Sequence, residues 1–240
     1  VIDAGGQPMR RPNGAPVIRM MLFPYDAADI SDVWHVIGLK GTGSDTYSVK
    51  DLFVPEQMSF ARDEEVDRRE NGLLFKFSTS NIYSFGFAAV ALGVARQMLD
   101  DATRMVSEKT PSGSKRALRD NNVVQAHIGR SEAMLRAARV YLYATARDLW
   151  HAMAETSELT LAQKLEIRMA STHAIHQAGA AVDALYHMLG STAVFRQFPF
   201  ERRFRDMHTA MQQLQGRESN YENIGQVVLG LDPDAMLFTT

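Results

Sequence analysis

The chain has 240 residues, 45% apolar and 22% charged, with 26 basic against 28 acidic residues and a net charge of −2. Such a balance gives no electrostatic footprint for nucleic acid or an anionic membrane surface. With no cysteine, disulfides, thiolate nucleophiles and cysteine-held metals are excluded.

The chain opens on Val1, and "VIDAGGQPMRRPNGAPVIRMM" has no targeting character, so a processed or truncated start is expected. No signal peptide and no apolar run of about 18 residues is evident; a cytoplasmic location is the expectation. Residues 17–56 carry strand signals. Ile18, Met20 and Leu22 of "VIRMMLF" alternate at period two, "DVWHVIGL" is rich in β-branched and aromatic residues, and "DTYSVKDLFVP" sets Tyr47 and Val49 against Thr46, Ser48 and Lys50. Three strands are too few to bury both faces of a sheet, so this segment reads as the tail of a β-domain. Residues 61–74, including "ARDEEVDRRENG", form a charged connector.

Beyond residue 75 the periodicity is helical. Phe85, Leu92, Leu99 and Val106 recur every seventh position with Ala88, Ala95 and Ala102 between them. After the loop "TPSGSKRALRDNN", Ile128, Leu135, Leu142 and Leu149 repeat in the same way, with Ser131, Ala138 and Thr145 interleaved. Two long antiparallel helices are expected, their axes brought close by the small residues. A third runs over about Leu161 to Leu189 with its apolar arc at Ile167, Ile175, Ala178, Val182, Leu185 and Leu189; "FPFERRFRDMHTAMQQLQ" starts a fourth and "SNYENIGQVVLGL" a short fifth. The fold class is α+β: a partial antiparallel β-domain over residues 1–60, the connector at 61–74, and an up-and-down bundle of long α-helices over 75–240.

Few residues announce chemistry. The glycines of "GLKGTGSD" run into a strand rather than a helix N-terminus, so the loop reads as a turn and not a phosphate cradle. His173, His176, Asp183 and His187 share one stripe of the third helix, but no Glu-x-x-His occurs anywhere, so the stripe reads as a solvated face or subunit contact and no metal is expected. Arg202, Arg203 and Arg205, beside Glu201 and Asp206, suit local ion pairs, an anionic ligand or a subunit contact.

Two stretches carry more. "DVWHVIGLKGTGSDTYSVKDLFVPE" and "FERRFRDMHTAMQQLQG…YENIGQVVLGLDPD" resemble the acyl-CoA dehydrogenase superfamily, nearest its flavin-dependent monooxygenase branch, the oxygenase component of two-component systems. The resemblance runs from about Val17 to Asp234 and implies the C-terminal part of a longer plan, with flavin (FMN or FAD) between β-domain and bundle. It further implies a homotetramer joined through the bundles, a separate flavin reductase, and a small, aromatic substrate. Carried over by position, the cofactor contacts would be Lys109, where the family has an arginine on a neighbour's pyrophosphate; Gln125; Gly190 and Ser191, at a dinucleotide-side turn; and Arg205 of the Arg205–Asp206 pair. His187 stands where the family has a glutamine. The dehydrogenase base is a glutamate, and here "QLQG", Gln213 to Gly216, has no carboxylate. Gln213 also occupies the place of the oxygenases' flavin-side histidine; it can donate a hydrogen bond but not shuttle a proton near pH 7. The resemblance therefore implies a flavin-dependent oxygenase, present as a piece expected to be inactive alone. The alternatives are an acyl-CoA dehydrogenase-like enzyme with its base elsewhere, or a non-catalytic oligomerising remnant.

Overall fold

The computed structural model describes residues 1–3, 5–11, 14, 16–61 and 67–233. Residues 62–66 of the charged connector, and Asp234 of the closing turn, lie outside the described residues. Two compact units emerge. The smaller takes Val1–His35 and Thr42–Thr79; the larger takes Val36–Gly41 and the chain from Ser80 onward.

In the small unit the strands are short. Strand β1 (Met20–Met21) pairs antiparallel with β4 (Ser59–Phe60), and β2 (Asp29–Ser31) pairs antiparallel with β3 (Thr46–Ser48), placing Ile30 opposite Tyr47. The expected three strands are thus replaced by two separate two-stranded ladders. Ile18, Met20 and Leu22 are all exposed rather than facing a core. The segment "DVWHVIGL" forms no strand, and its backbone partners explain why. The N–H groups of Val33 and Trp34 both donate to Asp45 Oδ1 at 3.1 Å, and those of His35 and Leu39 go to Val33 O and to Asp206. Donors already satisfied by side chains and turns are not offered to a ladder.

The larger unit is built on five helices: α1 (Thr79–Glu108), α2 (Asn122–Thr156), α3 (Leu161–Leu189), α4 (Phe200–Met211) and α5 (Ser219–Val228). Their ends follow from local chemistry. Asn121 Oδ1 accepts from Val123 N at 2.8 Å to start α2, and Thr160 with Gln163 forms a capping box at the head of α3. Both seams face the core: Ala88, Ala95, Ala102, Leu92, Leu99 and Val106 of α1, and Ser131, Leu135, Ala138, Leu142, Thr145 and Leu149 of α2, are buried.

Helix α3 is the hub, in contact with α2, α4 and α5. The closest helix pair is α2 with α3, not α1 with α2 as the two heptad seams suggested. Fully buried Ala170, Ser171, Ala174, Ala178 and Ala181 make α3 the slim helix of the bundle, and small residues at a contact shorten the interaxial distance. Larger Met98 and Leu99 fill the space beside α1. The outlying α1 is long and apolar enough to cross a membrane on length and composition alone, at mean hydropathy 1.4. That corrects the expectation of no such run; its alanine seam nevertheless lies in the bundle core.

An ion-pair bridge joins α1 to α2. Glu132 accepts from Arg96 and from Arg136, each at 2.6 Å. These two hydrogen bonds, Arg96 first, hold its carboxyl below the ordinary value of 4.5. A lowered folded pKa means the bridge stabilises fully above that value and is lost as pH falls through the folded pKa. Solvent reaches all three side chains, so the contribution is a fraction of about 1 kcal/mol. Melting curves of wild type and Glu132→Gln should differ at pH 7 and converge as the pH falls through the lowered pKa of Glu132; a gap that widens in acid would reverse the sign.

Candidate functional site

Three groups of the sequence-identified residues separate in space. In the first, the end of α1 meets the turn after α3. Lys109 Nζ donates to Thr192 Oγ1, and both line an open cavity of about 360 Å³ with Met105, Glu108, Phe195 and Phe198. Gly190 ends α3 with φ of 58°, a left-handed value that suits glycine, and space around its missing Cβ is open. Ser191 follows it, exposed, in the 3-10 turn Gly190–Val194. Lys109 is therefore brought to Thr192, which follows Gly190 and Ser191 in the same 3-10 turn; Gly190 and Ser191 are themselves not among the cavity's lining residues. Gln125 is not among the cavity's lining residues; in the first turn of α2 its Nε2 donates to Arg119 O at 2.8 Å.

In the second group, Arg205 and Asp206 do not pair with each other. Arg205 Nε donates to Glu201 Oε2 at 2.7 Å, and its Nη1 to Ile37 O. Asp206 Oδ1 accepts from Leu39 N at 2.7 Å. Adjacent residues of α4 thus grip the carbonyl and the N–H on either side of Gly38. A Cβ at Gly38 would lie 2.2 Å from Arg205 O, so the chain passes here only without a side chain. The rest of the arginine cluster is structural too. Arg203 pairs with Asp101 of α1, both nearly buried, and Arg202 is exposed.

The third group surrounds Gln213. Its side-chain oxygen accepts from Gln215 N at 2.6 Å, opening the 3-10 turn Leu214–Gly216. Sequence reasoning missed what lies beneath. Gln215 is 2% exposed and Arg168 4%. Gln215 Oε1 accepts from Arg168 Nη1 and from Ser84 Oγ at 2.7 Å. Its carbonyl accepts from Thr172 Oγ1 at 2.9 Å and Asn220 Nδ2 at 3.2 Å. Burial pulls the Arg168 guanidinium below its ordinary value, yet an arginine keeps its charge in a protein. The available signal was one arginine between Ile167 and Met169 on an otherwise apolar arc.

The stripe on α3 is not a bare solvated face, which corrects its sequence reading. His176 Nε2 meets Gly216 O at 2.8 Å, and Asp183 pairs with His208 of α4 at 2.8 Å. His173 packs edge-on to Tyr141, whose hydroxyl donates to Glu166 at 2.8 Å. Burial, then the neighbouring His176, lowers the His173 pKa, and burial, then Glu166, raises that of Tyr141. Only His187 of the four is exposed. The stripe seats α4 and the 213–216 turn. No group of three or more metal-ligating side chains occurs among the described residues.

Residues 85–215 match the family model described as acyl-CoA dehydrogenase, C-terminal domain. The chain belongs to this family. Similarity to individual proteins reaches beyond these residues, across up to 97% of the chain. It is 26% identical to an indole-3-acetate monooxygenase of Acinetobacter baumannii, over 97% of this chain and 59% of that protein. It is 31% identical to a pigment production hydroxylase of Rhodococcus erythropolis, over 80% of this chain and 50% of that protein. Among solved structures, 3-HSA hydroxylase from Rhodococcus sp. RHA1 superposes with a TM-score of 0.82 at 24% identity, over 97% of this chain and 61% of the other. XiaF from Streptomyces sp., in complex with FADH2 and glycerol, does so with a TM-score of 0.82 at 24% identity, over 95% and 60%. The fold is that of these solved structures, and this chain spans about half to three fifths of the relatives it matches.

Proposed function

We propose that this chain is the flavin-handling helical part of an oxygenase that works with a separate flavin reductase on a small aromatic substrate. Supporting this are relatives named as monooxygenases and hydroxylases across 80–97% of the chain. The observation that carries it to the residues is the meeting of Lys109 with Thr192, in the turn that begins at Gly190, on the wall of one cavity. An ammonium, two hydroxyls and an uncrowded glycine suit the phosphates of a flavin nucleotide, FMN or FAD. When bound, reduced flavin supplies the electrons and the site of oxygen activation. The chain's residues bind and orient it: Lys109 with Thr192 and Ser191 on the phosphate side, and Gln125 at the neighbouring helix start. Arg205, by contrast, spends its donors on Glu201 and Ile37; its part is to hold the loop at residues 37–39.

The 213–216 turn favours oxygenation over dehydrogenation. It presents no carboxylate, and the next acid along the chain, Glu218, is 82% exposed and faces His176 at 3.7 Å. A dehydrogenase base needs to sit beside the reacting carbon and be shielded from water. Exposed Ile82, Val90, Val123, Val140, Tyr143 and Trp150 on α1 and α2 suit burial against further copies of the chain, expected as a tetramer. A cytoplasmic setting with its reductase is part of the same proposal.

Calorimetric titration with FAD and FMN tests the cofactor site. Lys109→Ala should weaken binding about tenfold, as loss of a charge-assisted contact does, while Arg202→Ala changes nothing. Equal affinities of wild type and Lys109→Ala would remove Lys109 from the site.

A further inference from the structure

The buried charge of Arg168 calls for a reason. Its neighbours on α3, Ile167, Ala170 and Ala174, pack as ordinary core, and a methionine would fill the same volume without the cost of desolvating a guanidinium. The hydrogen bonds supply the reason. Arg168 Nη1 and Ser84 Oγ together occupy Gln215 Oε1, using both lone pairs of that amide oxygen. Arg168 Nη2 also reaches Ser80 Oγ at 3.3 Å. With its side chain held from α1 and α3, and its carbonyl held by Thr172 and Asn220, Gln215 has one backbone orientation. In that orientation its N–H points at Gln213 Oε1. The Gln213 amide is thereby oriented: oxygen inward on Gln215 N, NH2 left to donate.

We propose that Arg168 is a positioning residue which, through Gln215, fixes the 213–216 turn so that Gln213 faces the reaction site as a hydrogen-bond donor. The inference rests on the oxygenase reading both for the reaction site beside Gln213 and for what Gln213 donates to, the flavin or an oxygen atom of the substrate. The chain from Arg168 to Gln213 stands on geometry alone. His176, through Gly216 O, holds the last residue of the same turn from a second point on α3.

Hydrogen exchange of the intact 240-residue chain tests it without any cofactor. In Arg168→Met, the amides of Gln215 and Gly216 should exchange about tenfold faster while those of α2 are unchanged. Arg168→Lys should restore part of the protection, because one ammonium can still donate to Gln215 Oε1. Ile167→Val, next to it in the core, should leave the turn's exchange unaltered relative to the rest. Wild-type exchange at 215–216 in Arg168→Met, or faster exchange spread evenly over the bundle, overturns the proposal. If Arg168→Met does not fold, Ser84→Ala decides in the same way: loosening confined to the turn supports it, uniform loosening or none overturns it. In the protein at its full encoded length with flavin bound, Arg168→Met should lower kcat with little change in KM. A full-length protein that binds no flavin, where the chain shows the confined loosening, contradicts the oxygenase reading and leaves the positioning role standing.

Discussion

Replacing Phe200 with alanine is expected to destabilise the bundle by about 3–5 kcal/mol, the usual cost of emptying a large aromatic site in a packed core. Phe200 is the first residue of α4 and is 1% exposed, within the cluster that also holds Leu185, Leu189 and Met207. The helix it anchors carries Arg203 to Asp101, His208 to Asp183, and the Arg205–Asp206 grip on residues 37–39. Each pair depends on α4 staying docked, so the loss should exceed that of any one pair. Urea unfolding followed by circular dichroism would show a lower midpoint at unchanged slope. Arg202→Ala on the exposed side of the same helix should stay within about 0.5 kcal/mol of wild type. A loss under about 1 kcal/mol for Phe200→Ala would mean that α4 is not anchored by this ring.

Gly38→Ala is expected to expel residues 37–39 from their seat on α4. The new Cβ would stand 2.2 Å from Arg205 O and 2.7 Å from Asp206 N, both backbone atoms that cannot swing aside. Overpacking of this kind costs about 1–3 kcal/mol, and the displaced loop would also forfeit the Leu39–Asp206 and Ile37–Arg205 hydrogen bonds. Gly41, three residues on, has nothing within 4 Å of a Cβ, so Gly41→Ala is the matched control. Limited trypsin digestion at Lys40 reads the difference: faster cutting in Gly38→Ala, wild-type cutting in Gly41→Ala. Equal rates in the two variants would show that close approach at Gly38 does not hold the loop.

Helices were legible in the sequence because their signals are local. The seams of α1 and α2 and the span of α3 follow from periodicity. Strands were over-read because β-branched composition reports a preference for extended backbone and not a partner. Residues 32–39 are rich in such residues, yet their N–H groups are taken by Asp45, Val33 and Asp206. The "GLKGTGSD" loop is a turn as expected, but the need for Gly38 comes from a helix 167 residues away. Lys109 and Gly190 could be named from family position; that Lys109 shares a cavity with Thr192, two residues after Gly190, could not. The Arg168–Gln215–Ser84 network joins positions 47 and 131 residues apart, and no period or motif in one sequence connects them. The heptads of α1 and α2 pointed those two helices at each other, whereas α2 packs mainly on α3, whose small residues lie around much of its circumference and form no single seam.

The most direct measurement of the central claim is oxygen uptake by the purified protein at its full encoded length. It would be supplied with NADH, a flavin reductase, FAD or FMN, and phenolic or indolic substrates, with product followed by mass. The account predicts substrate-dependent oxygen consumption and a product heavier by one oxygen atom. Dye reduction with an acyl-CoA thioester in place of oxygen uptake, or tightly bound flavin with no oxygenated product from any aromatic substrate, would contradict it.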